Sequence, residues 1–299
     1  MKQKIKTSVI GSYPIPIDTQ QLMHNYFAGQ EQSWTTYIEQ AVHDMTSAGI
    51  DFVSDGQTRD PLVQLFTRKL TGCRVRGRTE IIGRVEYQGP ITVPDQIYTK
   101  RLLPRHVGLI GILTGPYTLT RSSVDSFYHD EKELAFDFAK ALRNEAKLLS
   151  KHVDCISIDE PFFSNQLPEY AHELLGVITN DLSRPTRLHV CGDVSVSIPR
   201  LVDMPVDILS HEFKAKPYLV DIFKEYSSKR KICAGAVQSD DSRVESIEEI
   251  VTHMKKVIDV FGRNLIQFAP DCGQRLLPRE IAFRKLKNLV AAGEIINGG

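Results

Sequence analysis

No surplus of charge marks this chain: 37 Lys and Arg against 37 Asp and Glu leave a formal net charge of zero. Without a basic field, nothing global draws in nucleic acid or an anionic lipid surface, so neither is an expected partner. Long hydrophobic runs are missing too. None reaches the roughly 18 residues a membrane helix needs, so no spanning segment is expected. Cysteine is scarce, five in 299 residues, odd in number and scattered from Cys73 to Cys272, which is no disulfide framework. Met1 to Thr7 is basic but runs straight into a strand-like segment with no apolar h-region, so no signal peptide is expected. These absences point to a cytoplasmic chain with reduced thiols. Also missing are a Walker loop, a Rossmann glycine fingerprint, a nucleophile elbow and His-Glu-x-x-His. What is present is 41% hydrophobic and 25% charged residues, the balance of a globular protein.

Short apolar, β-rich segments recur at residues 8–11, 51–54, 107–113, 155–158, 186–190, 206–209, 232–237 and 265–269. Several are apolar on both faces, as parallel strands covered by helices are. Helical spacing lies between them. Leu134, Phe138, Ala141, Leu142 and Leu149 mark one amphipathic helix. Ile247, Ile250, Val251, Met254, Val257, Ile258 and Phe261 mark another, opened by the Ser246-x-x-Glu249 capping box and closed by Gly262. A last helix is expected over 280–292, stopping at Gly293. Strands alternating with helices predict a single α/β domain over residues 1–299, a (β/α)8 TIM barrel. Residues 74–93, with Val75, Ile81, Ile82, Val85 and Tyr87 around Gly77 and Gly83, predict an inserted β-hairpin ended by Gly89-Pro90.

Chemistry in such a barrel sits where the strands end. One strand ends in Leu188-His189-Val190-Cys191-Gly192. Residues i and i+2 project to the same side, so His189 and Cys191 can converge at the barrel mouth. Imidazole and thiolate favour zinc over magnesium or calcium. The following strand runs out at Glu212 and the last at Cys272, so His189, Cys191, Glu212 and Cys272 form a candidate four-coordinate set at one tip. His211 should face the other way, and Cys73, Cys155 and Cys233 read as packing or surface thiols. Asp159-Glu160-Pro161 puts two carboxylates at another strand tip, able to bind an amine or act as acid and base; on spacing alone a turn with solvated acids or a helix N-cap is the stronger reading. Ile10-Gly11-Ser12 reads as a turn, or as a place where a ligand approaches the backbone closely.

In order along the chain, Ile10-Gly11-Ser12, Leu113-Thr114-Gly115-Pro116, Ile158-Asp159-Glu160-Pro161, His189-x-Cys191, Glu212 and Pro270-Asp271-Cys272-Gly273 resemble the catalytic C-terminal barrel of cobalamin-independent methionine synthase. The resemblance covers essentially the whole chain. It implies one zinc per chain, held by His189, Cys191, Glu212 and Cys272, that binds the thiol of L-homocysteine. It further implies that Ile10, Gly11 and Ser12 hold the substrate carboxylate and that Asp159 takes the amino group. Two thiolates and a carboxylate leave the zinc site at a formal charge of about −1, which keeps electron density on the substrate sulfur. Such a sulfur can attack a methyl group directly.

Three departures from the family qualify this. Its bacterial and plant members carry a further N-terminal barrel that helps hold a polyglutamylated folate, with no counterpart in this sequence. Their second-strand Gly-Glu, which also meets the substrate amine, reads Gly56-Gln57 here, so Gln57 offers a carbonyl without charge. Their catalytic histidine after the seventh strand is replaced within Gln238-Ser239-Asp240-Asp241, by alignment with Asp240, or with Asp241 after a one-residue slip. The pattern resembles the short archaeal-type catalytic core and implies methylcobalamin or a methylated corrinoid protein as methyl donor. No Asp-x-His-x-x-Gly corrinoid motif is present, so the donor would arrive from outside. The alternatives are a minimal folate-dependent synthase, a related zinc barrel that methylates another thiol such as coenzyme M, and a non-catalytic zinc- or thiol-binding protein. Asp159 favours an amino-acid thiol, since coenzyme M has no amine.

Overall fold

A computed structural model describes residues 4–298 apart from 19, 21–23, 25–27, 29–33, 60 and 227–229. The first three residues of the basic N-terminal segment therefore lie outside the described residues. Eleven strands follow in chain order among the described residues: β1 Lys6–Thr7, β2 Phe52–Val53, β3 Cys73–Arg76, β4 Arg78–Ile81, β5 Gly108–Thr114, β6 Ser123–Asp125, β7 Cys155–Asp159, β8 Thr186–His189, β9 Ile208–His211, β10 Lys231–Val237 and β11 Leu265–Pro270. Eight of them form one sheet in the order β1-β11-β10-β9-β8-β7-β5-β2. A parallel bridge between Ser8 and Phe52 joins its two ends, so the sheet curls into the expected α/β barrel. No helix among the described residues is long and apolar enough to cross a membrane.

Apolar side chains on both faces of these strands explain the architecture. Ile10, Ile110, Ile112, Cys155, Ile208, Cys233 and Ala269 form a small cluster of their own that fills the barrel. A far larger apolar layer lies between the strands and the surrounding helices. The helix Ile247–Phe261 shows how the sequence dictates one unit. Its capping box is complete, with Ser246 Oγ accepting from Glu249 N at 3.2 Å and Glu249 Oε2 accepting from Ser246 N at 2.8 Å. Ile250, Met254, Val257 and Phe261 then carry the buried stripe.

Most strand boundaries shift by a residue or two from the sequence expectation, and three differences are larger or structurally informative. The first strand lies at Lys6–Thr7, not at 8–11, because the chain turns at Gly11 to shape the barrel mouth. The final helix runs on to Gly298. Gly293 does not stop it: a Cβ there would stand 3.3 Å from Thr7 Cγ2, so the glycine serves close packing against β1. The expected hairpin exists but is shorter than 74–93. β3 and β4 pair antiparallel around Gly77, and β6 joins β4 in parallel from more than forty residues downstream.

Candidate metal centre

His189 closes β8 and Cys191 follows two residues later, while Cys272 lies two residues beyond the end of β11. Parallel strands bring these tips to the same end of the barrel. One ligand atom from each of the three residues lies within 4.8 Å of the others. His189 is buried, its Nδ1 is 3.2 Å from Ser210 Oγ, and its Nε2 has no hydrogen-bond partner. A buried imidazole nitrogen left without a partner is costly unless something accepts its lone pair or proton. When Nδ1 donates to Ser210, Nε2 is the free donor atom a metal requires. One imidazole and two thiols suit zinc.

The sulfurs are already polarised. Hydrogen bonding from the Cys272 thiol and the charge of His189 hold Cys191 below the usual thiol range against the effect of burial. Cys272 is correspondingly driven far above the usual thiol range by Cys191 and by burial. A dication at the same place would hold both sulfurs as thiolates and release their protons. Burial lowers the His189 imidazole, but Cys191 and Asp159 outweigh it and raise the group.

Glu212 does not join the three. Its carboxylate pairs with Lys216, four residues on, which offers it a cation. The expected fourth ligand therefore sits at the rim, close enough for its charge to act on both thiols. Cys155 and Cys233 lie in the barrel interior and Cys73 in β3, all apart from the cluster. His211 faces away, packed against Phe213 and Phe223 with Nδ1 3.1 Å from Val190 O.

A second group of expected residues meets beside the thiols. Gly11 has φ +51°, and a Cβ built on it would lie 3.3 Å from Gln57 Oε1, 3.6 Å from Asp159 Oδ2 and 3.8 Å from Gly273 Cα. The missing side chain leaves a small polar cradle bounded by three strand ends. Asp159 and Gln57 are both buried, and Gln57 Nε2 has no partner. Ile10 packs into the barrel interior, while Ser12 O accepts from Gln274 N at 2.7 Å, stitching the first strand end to the last. The adjacent carboxylates split their work: Asp159 faces the cradle, whereas Glu160 caps the helix Pro116–Arg121. It accepts from Tyr117 N at 2.9 Å, Thr118 N at 2.8 Å and Thr118 Oγ1 at 2.6 Å. Burial pushes Glu160 up to about 7.

Asp240 is exposed rather than enclosed in the site. Its neighbour Ser239 is the buried residue of that loop. Ser239 Oγ donates to Cys272 O at 2.6 Å and accepts from Cys272 N at 3.0 Å, fixing the backbone of that thiol. Asp271 was also unassigned. Its carboxylate accepts from Lys214 N at 3.0 Å and Ala215 N at 2.7 Å, tying β11 to the loop that carries Glu212. Only glycine at position 235 allows this, because a Cβ there would stand 1.9 Å from Asp271 Oδ1. Burial pushes Asp271 up to about 7. The Pro270-Asp271-Cys272-Gly273 string carries the sequence signal for it.

Comparison with known proteins identifies the family. Residues 5–294 match the family described as cobalamin-independent synthase, catalytic domain. A protein of Methanocaldococcus jannaschii named methionine synthase is 36% identical over 97% of this chain and 99% of its own length. One of the same name from Methanothermobacter marburgensis is 35% identical over 96% of this chain and 98% of its own. The fold matches that of a B12-independent methionine synthase from a Shewanella species, solved with selenomethionine, at a TM-score of 0.83, 24% identity and 98% coverage of both chains. The chain belongs to the cobalamin-independent methionine synthase family, through its catalytic domain.

Proposed function

We propose that the barrel mouth is a zinc-dependent site that transfers a methyl group to the thiol of homocysteine, forming methionine. One juxtaposition carries the reading: the His189–Cys191–Cys272 cluster, with His189 Nε2 unpartnered, beside the cradle of Gly11, Gln57, Asp159 and Gly273. Zinc held there would keep a substrate thiol, which titrates near about 8.5 when free, as a thiolate at neutral pH. Glu212 would complete the shell on leaving Lys216. Asp159 Oδ2 would take the substrate ammonium, and the backbone of Ile10 to Ser12 its carboxylate. Gln57 serves either group without adding charge. Ser239 and Ser210 hold Cys272 and His189 in place. An ammonium contact at Asp159 argues for an amino-acid thiol and against coenzyme M.

For the methyl donor we retain an external methylated corrinoid, on the exposure of Asp240. Methyl transfer from a folate nitrogen needs a positioned acid, whereas cob(I)alamin leaves without a proton. The family's description as cobalamin-independent favours the second reading, a methylated folate. X-ray absorption of the zinc-loaded protein tests the site itself. Homocysteine should add one zinc–sulfur contact near about 2.3 Å. An unchanged shell with substrate bound would make the zinc structural.

A further inference from the structure

Beneath the cradle lies a guanidinium that the site's chemistry has not used. Arg187 is fully buried and forms no ion pair among the described residues. Strands β7 and β8 run in register, with Ser157 opposite Arg187 and Asp159 opposite His189. Because side chains two apart share a face, Ser157 and Arg187 form the layer just below Asp159 and His189. Arg187 is clamped from several sides: Nη1 donates to Ser8 Oγ at 3.1 Å, Nη2 to Val9 O at 3.1 Å and Nε to Ser157 Oγ at 3.1 Å. A serine hydroxyl has one proton to give. With the Arg187 N–H on its oxygen, Ser157 gives that proton to Asp159 Oδ1 at 2.8 Å. The other oxygen, Oδ2, is the one that faces Gly11.

We propose that Arg187 and Ser157 are positioning residues for amine recognition: the guanidinium orients the Ser157 hydroxyl, which pins Asp159 Oδ1 and leaves Oδ2 aimed at the substrate ammonium. The relay makes the site selective for a thiol that carries an α-amino group. It rests on the reading of the cradle as a homocysteine site. Hydrogen bonds in series polarise one another, so the permanent charge on Arg187 strengthens the bond to Asp159.

Calorimetric binding to the zinc-loaded protein tests this with two ligands, homocysteine and 4-mercaptobutanoate, which keeps the thiol, carboxylate and chain length but lacks the amine. Ser157→Ala should weaken homocysteine about tenfold, as loss of a hydrogen bond to a charged group does, and 4-mercaptobutanoate by less than about twofold. Ser157→Thr, which keeps the hydroxyl, should restore the preference. Zinc content and thermal melting report whether each variant is folded, and Ser157→Cys reads the same loss should the alanine variant not fold. Equal weakening of both ligands, or none, overturns the relay. Loss of homocysteine affinity in Asp159→Asn but not in Ser157→Ala overturns the relay and leaves the cradle standing. Equal affinity of the unaltered protein for the two ligands overturns both.

Discussion

Cys191 and Cys272 carry the metal reading at the scale of single residues. A serine hydroxyl is a poor soft ligand, so Cys191→Ser or Cys272→Ser should abolish zinc retention on dialysis. Cys73→Ser and Cys155→Ser should leave about one zinc per chain, because neither thiol touches the cluster; burial holds both at about 12. Metal analysis decides it: full zinc in both the Cys191 and Cys272 variants removes the site. Ser239→Ala is a subtler probe. It strips the two hydrogen bonds that fix Cys272 and should weaken zinc about tenfold, the usual cost of an outer-shell partner. Asp240 separates the donors. Were it the acid for a folate, Asp240→Asn would cost about 100-fold or more in turnover; its exposure predicts a small effect with a corrinoid donor. The convergence of His189 and Cys191 was legible because strand geometry places i and i+2 together. Ser239, Asp271 and Glu160 were not, because their partners are backbone amides and carbonyls 33 to 57 positions away in sequence.

Elements are joined at the mouth by buried carboxylates, and this has a pH signature. Glu160 ties the end of β7 to the helix Pro116–Arg121, and burial pushes it up to about 7. A free glutamate titrates near about 4.3, so the folded chain holds this proton more tightly than the unfolded one. The contribution is therefore fully present below the unfolded value and is lost as pH rises toward about 7. Glu160→Gln should flatten that part of the stability curve, by roughly 1–3 kcal/mol, in denaturant titrations at about pH 5 and pH 8. An unchanged slope would show that Glu160 is ionised throughout. The capping box of the helix Ile247–Phe261 gives a control far from the chemistry. Ser246→Ala should cost about 1 kcal/mol with zinc unchanged. That helix was readable from end to end because cap, period and stop signal agree. The hairpin was only half readable. Its third strand, β6, comes from another barrel unit, and nothing local in residues 74–93 announces it.

As a whole, the molecule places an imidazole, two thiols, a buried carboxylate and a side-chain-free cradle at one end of an eight-stranded barrel. The barrel was legible from the alternation of apolar segments. The short first strand was displaced by two residues or more, since a two-residue strand carries too little periodicity to locate. Turnover by the zinc-loaded protein tests the central claim most directly, with homocysteine offered methylcobalamin and methyltetrahydrofolate in separate reactions and methionine quantified. The account predicts methionine from methylcobalamin, little or none from the folate, and none from either once Cys191 or Cys272 is serine. Methionine from the folate and not from methylcobalamin would overturn the donor, and homocysteine that binds but yields no methionine with either donor would contradict the whole account.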